Sequence, residues 1–309
     1  MRAIVATRFG GADVLELTEL PDPEPGPGEL LIEVAAAGVL WLDVQVRQGN
    51  GPEFVDAKPP YVPGGAVAGV ISAVGDGVDS SRIGERVLGR PAAGGYAERA
   101  VVTEAVAVPD ELDLRPATAL IDDGTTAVAL LDRTPVRPGE WVLVQPALGG
   151  LGSLLVQLAT AKGARVIAAA RGEHKLAAAK ELGAAEAVDY GDPQWTDRVR
   201  ELTGGVDVVF DGVGGELGAQ AARLVADGGR FSSYGMAGGA PTTTPNGVGM
   251  EQLSTFWPDL TKNLNSALAA AAAGTLRPVI GTTYPLAEAA SAHRDIELRR
   301  NVGKVLLTM

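Results

Sequence analysis

The residues best placed to do chemistry in this chain are small ones. Ala147, Gly149 and Gly152 repeat the spacing of a G-x-G-x-x-G turn with alanine in the first place. A short apolar run over 141–144 comes before them, and Leu154, Leu155, Leu158 and Ala159 follow at helical spacing until Gly163. That order predicts a buried strand, a tight turn and a helix. With no side chain at Gly149 or Gly150 a pyrophosphate can approach the backbone, where the helix N-terminus offers N–H groups and a partial positive charge. Gly152 would let the helix pack close to the strand. The pattern points to a dinucleotide; the bland alternative is a turn that only joins a strand to a helix.

A second group of residues bears on which dinucleotide. Where ribose hydroxyls are bound, an acidic residue usually stands at the end of the next strand, about 20 residues beyond the glycines. Here that place holds Ala170, followed by Arg171, Gly172, Glu173, His174 and Lys175. A carboxylate would repel a 2′-phosphate, whereas Arg171 and Lys175 can pair with one, the arginine through its planar fork. The expectation is NADPH over NADH, against the reading of both as solvated surface cations diluted by Glu173. His174 reads as an exposed helix residue rather than a ligand.

The elements that must position these residues alternate. Apolar runs at 165–170, 187–190, 206–210 and 230–234 are separated by helical patterns at 173–182 and 215–226, and by a helix running to about 203 with Asp192 as N-cap and Pro193 in its first turn. Such alternation predicts an α/β fold with a doubly wound parallel sheet and the ligand at the carboxyl ends of its strands. The first 115 or so residues read differently. Strand-like runs at 2–6, 14–19, 30–36, 67–74, 85–88 and 96–102, punctuated by Gly and Pro, describe a β-rich unit with one short helix at 40–48. The Pro/Gly-rich stretch 21–28 is read as a rigid surface loop, and 235–249 as a loop that a ligand orders. A helical pattern at 253–273, interrupted at Pro258, is followed by a strand at 278–281, a helix at 285–298 and a strand at 302–307. The expected division is 1–117, completed by 277–309, and 118–276.

Composition sets bounds. The 309 residues are 46% hydrophobic and 21% charged with a formal net charge of −12, which argues against nucleic acid or an anionic membrane as partner. The absence of cysteine removes disulfides, thiolate zinc sites and a cysteine nucleophile. No run approaches a membrane span and the N-terminus lacks the pattern of a signal peptide, so the expected location is cytoplasmic.

Several motifs together carry a resemblance over essentially the whole chain. They include Gly28-Glu29-Leu30-Leu31-Ile32, Val62-Pro63-Gly64, Gly94-Gly95-Tyr96-Ala97-Glu98, Thr126-Ala127 and Arg137-Pro138-Gly139-Glu140. Further on come Asp207-Val208-Val209-Phe210-Asp211, Gly228-Gly229-Arg230-Phe231, Pro285-Leu286 and Gly303-Lys304. The chain resembles the medium-chain dehydrogenase/reductase superfamily, and within it the zinc-free quinone oxidoreductase branch. The resemblance implies a GroES-like catalytic domain, a Rossmann domain, NADPH in the interdomain cleft and often a homodimer.

Zinc members of that superfamily use a Cys, a Gly-His-Glu segment and a second Cys or Asp. Here the matching places hold Leu40 and Gly64-Gly65-Ala66, short of the three protein ligands that catalytic zinc needs. The stretch between Leu88 and Tyr96 is too short for a four-cysteine lobe. Without a metal, reduction of an electron-poor acceptor is the suitable chemistry: hydride passes from NADPH to a quinone or an α,β-unsaturated carbonyl, and the protein mainly aligns the partners.

The resemblance places Ala147, Leu148, Gly149, Gly150 and Leu151 along the pyrophosphate, Arg171 and Lys175 on the 2′-phosphate and Tyr190 beside the adenosine phosphate. It places Thr126 towards the nicotinamide and draws Gly212, Val213, Tyr234, Gly235 and Met236 from two later strand ends. For Tyr190 and Tyr234 an amphipathic tyrosine at the core edge is the competing reading. On the substrate side the family's Asn-Phe-x-Asp is replaced by Leu40-Trp41-Leu42-Asp43, which suits a bulky planar or apolar small-molecule acceptor. Asp43 and Arg47 lie four apart, the spacing of a surface ion pair, set against a role for Asp43 in orienting substrate. Asp122 and Asp123 are read as facing the cleft or as a loop or cap pair, Phe256 and Trp257 as acceptor-pocket or core residues, and His293 as structural. Residues 237–249 show no strand pattern of the kind that pairs across the family's dimer. Two other classes stay open. One is an NADPH-binding sensor or structural protein with little catalysis. The other is a methyltransferase, against which Ala170 and Arg171 speak because its adenosyl ribose wants an acid there.

Overall fold

In a computed structural model that describes residues 1–53, 55–242, 249–251 and 260–309, with the backbone alone for 249–251, the chain divides into two units. One is Met1–Asp122 with Pro278–Met309, the other Asp123–Arg277.

The first unit opens with an antiparallel pair, β1 (Arg2–Ala6) and β2 (Leu15–Glu19). The long strand β3 (Leu30–Val39) buries alternate side chains and runs into α1 (Trp41–Gln48). The carboxylate of Asp43 in its first turn accepts from the Leu40 N–H at 2.8 Å, and Gly49 closes it in the left-handed region. Then come β4 (Val67–Val74), β5 (Arg86–Gly89), β6 (Arg99–Val102), β7 (Ala105–Ala107) and α2 (Leu114–Ala119). A wide helical turn at Leu120–Gly124 leads into α3 (Thr125–Arg133) of the second unit.

There the expected alternation is found. The run 141–144 lies in β8 (Trp141–Gln145), whose Val142, Leu143 and Val144 are fully buried, as a strand covered on both faces requires. It is followed by α4 (Gly150–Ala161), β9 (Arg165–Ala170), α5 (Glu173–Glu181) and β10 (Glu186–Asp189). Next come α6 (Trp195–Thr203), β11 (Val206–Asp211), α7 (Gly215–Ala222), β12 (Val225–Ser233) and β13 (Gly249–Glu251). The helix α8 (Leu260–Ala272) ends this unit. The strands form a parallel sheet in the order β10-β9-β8-β11-β12-β13, so the direction of winding reverses between β8 and β11. Leu143, Ile167, Val188, Trp195, Val209 and Phe231 are among its core residues.

The chain then returns to the first unit with β14 (Ile280–Pro285), α9 (Ala289–Glu297) and β15 (Lys304–Thr308). β15 pairs with β3, completing a seven-stranded sheet in the order β14-β15-β3-β4-β5-β7, with β6 on β3.

Three boundaries differ from expectation for local reasons. Asp192 does not cap α6; its carboxylate accepts from Gln194 N–H in a turn, and the helix starts at Trp195. The pattern at 215–226 overruns α7, because β12 already begins at Val225 and crosses Gly228, at φ +75°, before pairing regularly from Arg230. A sixth strand, β13, joins the parallel sheet from Gly249.

Candidate functional site

Between the ends of β8 and β11 the sheet reverses its winding, which is where doubly wound folds bind ligands. Three glycines shape the turn after β8. A Cβ on Gly152 would stand 2.0 Å from the Pro146 carbonyl oxygen, so only glycine lets α4 lie this close to the turn. A Cβ on Gly149 would meet nothing nearer than 4.0 Å, so the space over it is open. No side chain caps α4 at Gly149, and the N–H groups of Gly150, Leu151 and Gly152 have no intrahelical acceptor by helix geometry. Those donors and the helix dipole fit an anionic group. Ala147 and Leu148 are both buried, and the Ala147 N–H donates to the Ala169 carbonyl at 2.9 Å, extending the sheet.

The end of β11 is held by a knot that the motif reading did not anticipate. Asp211 is fully buried; its Oδ1 accepts from Gln145 Nε2 at 2.9 Å, Val213 N at 2.8 Å and Gly214 N at 3.1 Å. Its Oδ2 accepts from the Thr242 hydroxyl and, at 3.2 Å, from Gly214 N. A buried carboxylate is stable only when so satisfied, and the consequence is a fixed path for Gly212, Val213 and Gly214. The Gln145 carbonyl accepts from Gly212 N at 2.7 Å and from the Tyr234 hydroxyl at 3.2 Å, tying the two strand ends to the end of β12. A Cβ on Gly212 would stand 2.3 Å from the Tyr234 ring, so glycine is needed there too. Burial, and then the charges of Asp211 and Asp123, push the Tyr234 phenol well above its ordinary pKa and keep it a neutral donor. Gly235 and Met236 continue from it, the latter exposed, while Val213 is buried. Thr126, half-buried in the first turn of α3, belongs to the same unit.

At the end of β9 the buried methyl of Ala170 occupies the place where an acid would stand. Arg171 is exposed with its guanidinium 5.7 Å from the centre of the Tyr190 ring, a cation–π arrangement, and Lys175 is half-buried in the first turn of α5. His174 is exposed, as expected. The structure thus brings Gly149, Gly150 and Leu151 to one strand end, Arg171, Lys175 and Tyr190 to the next ones out, and Gly212, Val213 and Tyr234 to the other side of the reversal. Trp257 and Phe256 lie outside the described residues.

In the first unit, Leu40, Trp41 and Asp43 open α1, all partly exposed. The surface pair expected between Asp43 and Arg47 is not formed. Arg47 is fully buried and pairs with Glu297 of α9, while Asp43 Oδ2 accepts from the Tyr96 hydroxyl at 3.1 Å as well as from Leu40 N–H. Arg47 points inward because α9 packs on that face, which a helix read by itself cannot reveal. The Tyr96 oxygen lies 3.2 Å from His293 Nε2, and the rings meet edge to face at 89°. Since the Tyr96 hydroxyl donates to Asp43, its oxygen accepts from His293 Nε2–H, and Nδ1 is the bare nitrogen. Burial, helped by the Arg47 charge, drops the His293 pKa to about 3, so the ring is neutral. Burial raises Asp43 to about 6, against the Leu40 N–H bond. Asp122 pairs with Arg90 at 2.5 Å.

Leu40, Gly64, Gly65 and Ala66 bring no ligating side-chain atom, and among the described residues no three His, Cys, Asp or Glu side chains gather as a metal site. The donor set does not fit catalytic zinc.

A β-rich unit closed by the C-terminal strand and a doubly wound unit with a glycine turn at its reversal define a two-domain dehydrogenase architecture. Residues 26–111 match the family described as alcohol dehydrogenase GroES-like domain, and residues 150–258 the family described as zinc-binding dehydrogenase. A quinone oxidoreductase of Rattus norvegicus is 33% identical over 326 residues, covering 100% of this chain and 98% of that one. A 2-haloacrylate reductase of a Burkholderia species is 32% identical over 326 residues, covering 99% and 98%. The solved Escherichia coli quinone oxidoreductase complexed with NADPH superposes with a TM-score of 0.91 at 28% identity, covering 100% of both chains. The chain belongs to the quinone oxidoreductase branch of the medium-chain dehydrogenase/reductase superfamily.

Proposed function

We propose that the protein is a zinc-independent, NADPH-dependent reductase of a small-molecule acceptor, a quinone or an α,β-unsaturated carbonyl. The observation that carries this reading is the combination at neighbouring strand ends of an open glycine turn with uncapped helix N–H groups and, at β9, Ala170 and Arg171 in place of a carboxylate. NADPH, when bound, supplies a hydride to an electron-poor acceptor, and a proton completes the reduction. The amides of Gly149, Gly150 and Leu151 hold the pyrophosphate, and Gly152 sets how near α4 comes to it. Arg171 and Lys175 hold the 2′-phosphate, with Tyr190 under the guanidinium. Gly212, Val213, Tyr234, Gly235 and Met236 follow the chain path fixed by Asp211 and Gln145, and Thr126 adds a hydroxyl towards the nicotinamide. On the first unit, Leu40 and Trp41 offer an apolar, planar surface to the acceptor, and Asp43 holds the start of α1 in place. Similarity to a quinone oxidoreductase and to a 2-haloacrylate reductase supports an electron-poor acceptor, and the E. coli relative is solved complexed with NADPH.

Loss of NADPH absorbance on mixing with a panel of quinones and enones tests the proposal. Consumption with at least one acceptor, unchanged after exhaustive chelation, is the expected result. Tight NADPH binding without turnover would favour the sensor reading, and turnover that depends on added zinc would overturn this one.

A further inference from the structure

The carboxylate of Asp189 ends β10 next to the cations assigned to the 2′-phosphate, where a negative charge is unwelcome on electrostatic grounds. Its hydrogen bonds show what it does there. Oδ2 accepts from the Gly172 N–H at 3.0 Å across seventeen residues of chain, and Oδ1 accepts from the Gly191 N–H at 2.7 Å. The sheet ladder between β9 and β10 stops at Ala170 and Asp189. Beyond it the Tyr190 N–H donates to the Ala170 carbonyl at 3.2 Å, and the Asp189 side chain joins the two departing loops. Gly172 sits at φ +92°, a turn that aims its N–H at the carboxylate and sends Arg171 out over the Tyr190 ring. Gly191 also stands close to Arg171: an added Cβ would lie 3.6 Å from Nε and 3.7 Å from Cγ. Arg171 is therefore exposed yet held close to both Tyr190 and Gly191, the two residues that follow the Asp189 clamp.

We infer that Asp189 is a positioning residue for cofactor selectivity: by tying the Arg171 loop to the Tyr190–Gly191 loop it preassembles the cationic face that takes a 2′-phosphate. This rests on the proposed reading of Arg171 and Lys175 as the phosphate-holding pair. Two effects compete when the carboxylate is removed. Relief of repulsion would strengthen NADPH binding, but that charge is only half-buried, so solvent and salt screen it in part. Loss of two charge-assisted bonds frees both loops, and a floppy arginine must be ordered anew at each binding event. The second effect is the larger, so the sign of the change decides between them.

The test is calorimetric titration of the full chain with NADPH and with NADH, alongside hydrogen exchange of the nucleotide-free protein. For Asp189→Ala the expected result is a loss of NADPH affinity of at least about tenfold with NADH changed less than about threefold. Faster exchange at the Gly172 and Gly191 amides should accompany it. Asp189→Asn, which keeps one acceptor oxygen, should fall between, and it decides the matter if the alanine variant does not fold. An unchanged or raised NADPH-to-NADH ratio, or equal weakening of both nucleotides, would overturn the inference while leaving the proposed function standing. A wild-type protein without preference for NADPH would overturn both.

Discussion

Arg171 and Lys175 carry the selectivity argument because each can meet a 2′-phosphate with a full charge, and Ala170 leaves nothing to repel it. Removing both side chains, Arg171→Ala with Lys175→Ala, should weaken NADPH by roughly a hundredfold and NADH by less than about threefold, since two charge-assisted contacts are lost from one nucleotide only. Equal losses in the two titrations would mean that the phosphate is held elsewhere. These residues could be read from the chain because their place is counted from the glycine turn. Asp189, Asp211 and Gln145 could not be read in the same way. Each closes an apolar strand run, a visible signal, but what their polar atoms meet lies 17, 31 and 66 residues away.

At the scale of elements the two glycines of one turn separate packing from binding. Gly152→Ala puts a methyl 2.0 Å from the Pro146 oxygen and 3.0 Å from the Ala147 carbonyl carbon, so backbone has to move. We expect a loss of about 3 kcal/mol in urea unfolding, at the upper end of overpacking costs. Gly149→Ala meets open space at φ −76° and should leave the unfolding midpoint within about 0.5 kcal/mol of wild type. Its methyl intrudes where the pyrophosphate is assigned, so NADPH affinity should fall by tenfold or more, by the same titration. If both variants lose stability alike, the space over Gly149 is not open. Runs such as 141–144 and 165–170 were legible because burial on both faces leaves an unbroken apolar signature. The start of α6 was not: Asp192 and Pro193 form a turn as readily as a cap.

Across the whole molecule, the cluster of half-buried Asp43 with buried Tyr96, His293 and Arg47 makes stability depend on pH. His293, lowered from 6.5 to about 3, adds stability that is fully present above pH 6.5 and is lost as pH falls towards 3. Asp43, raised from 3.8 to about 6, adds stability that is present below pH 3.8 and is lost as pH rises through 6. The two oppose one another and nearly cancel between pH 4 and 6, so the larger histidine shift shows as a net loss only just above and just below that window. His293→Gln keeps a donor for Tyr96 and removes the histidine contribution, so between pH 7 and 5 its unfolding free energy should rise relative to wild type by on the order of 1 kcal/mol. Parallel urea midpoints across that range would refute the opposition. The sequence by itself determined the alternation of strands and helices from β8 to β12, the glycine turn, the missing acid at Ala170 and the missing metal donors, because these are properties of residue type and short-range period. Only the tertiary structure decided that Arg47 turns inward to Glu297, that His293 reaches Asp43 through Tyr96, and that Asp189 joins two loops. Those pairings are made across folded distance, and no local pattern records which distant group will arrive to satisfy a buried charge or an open amide.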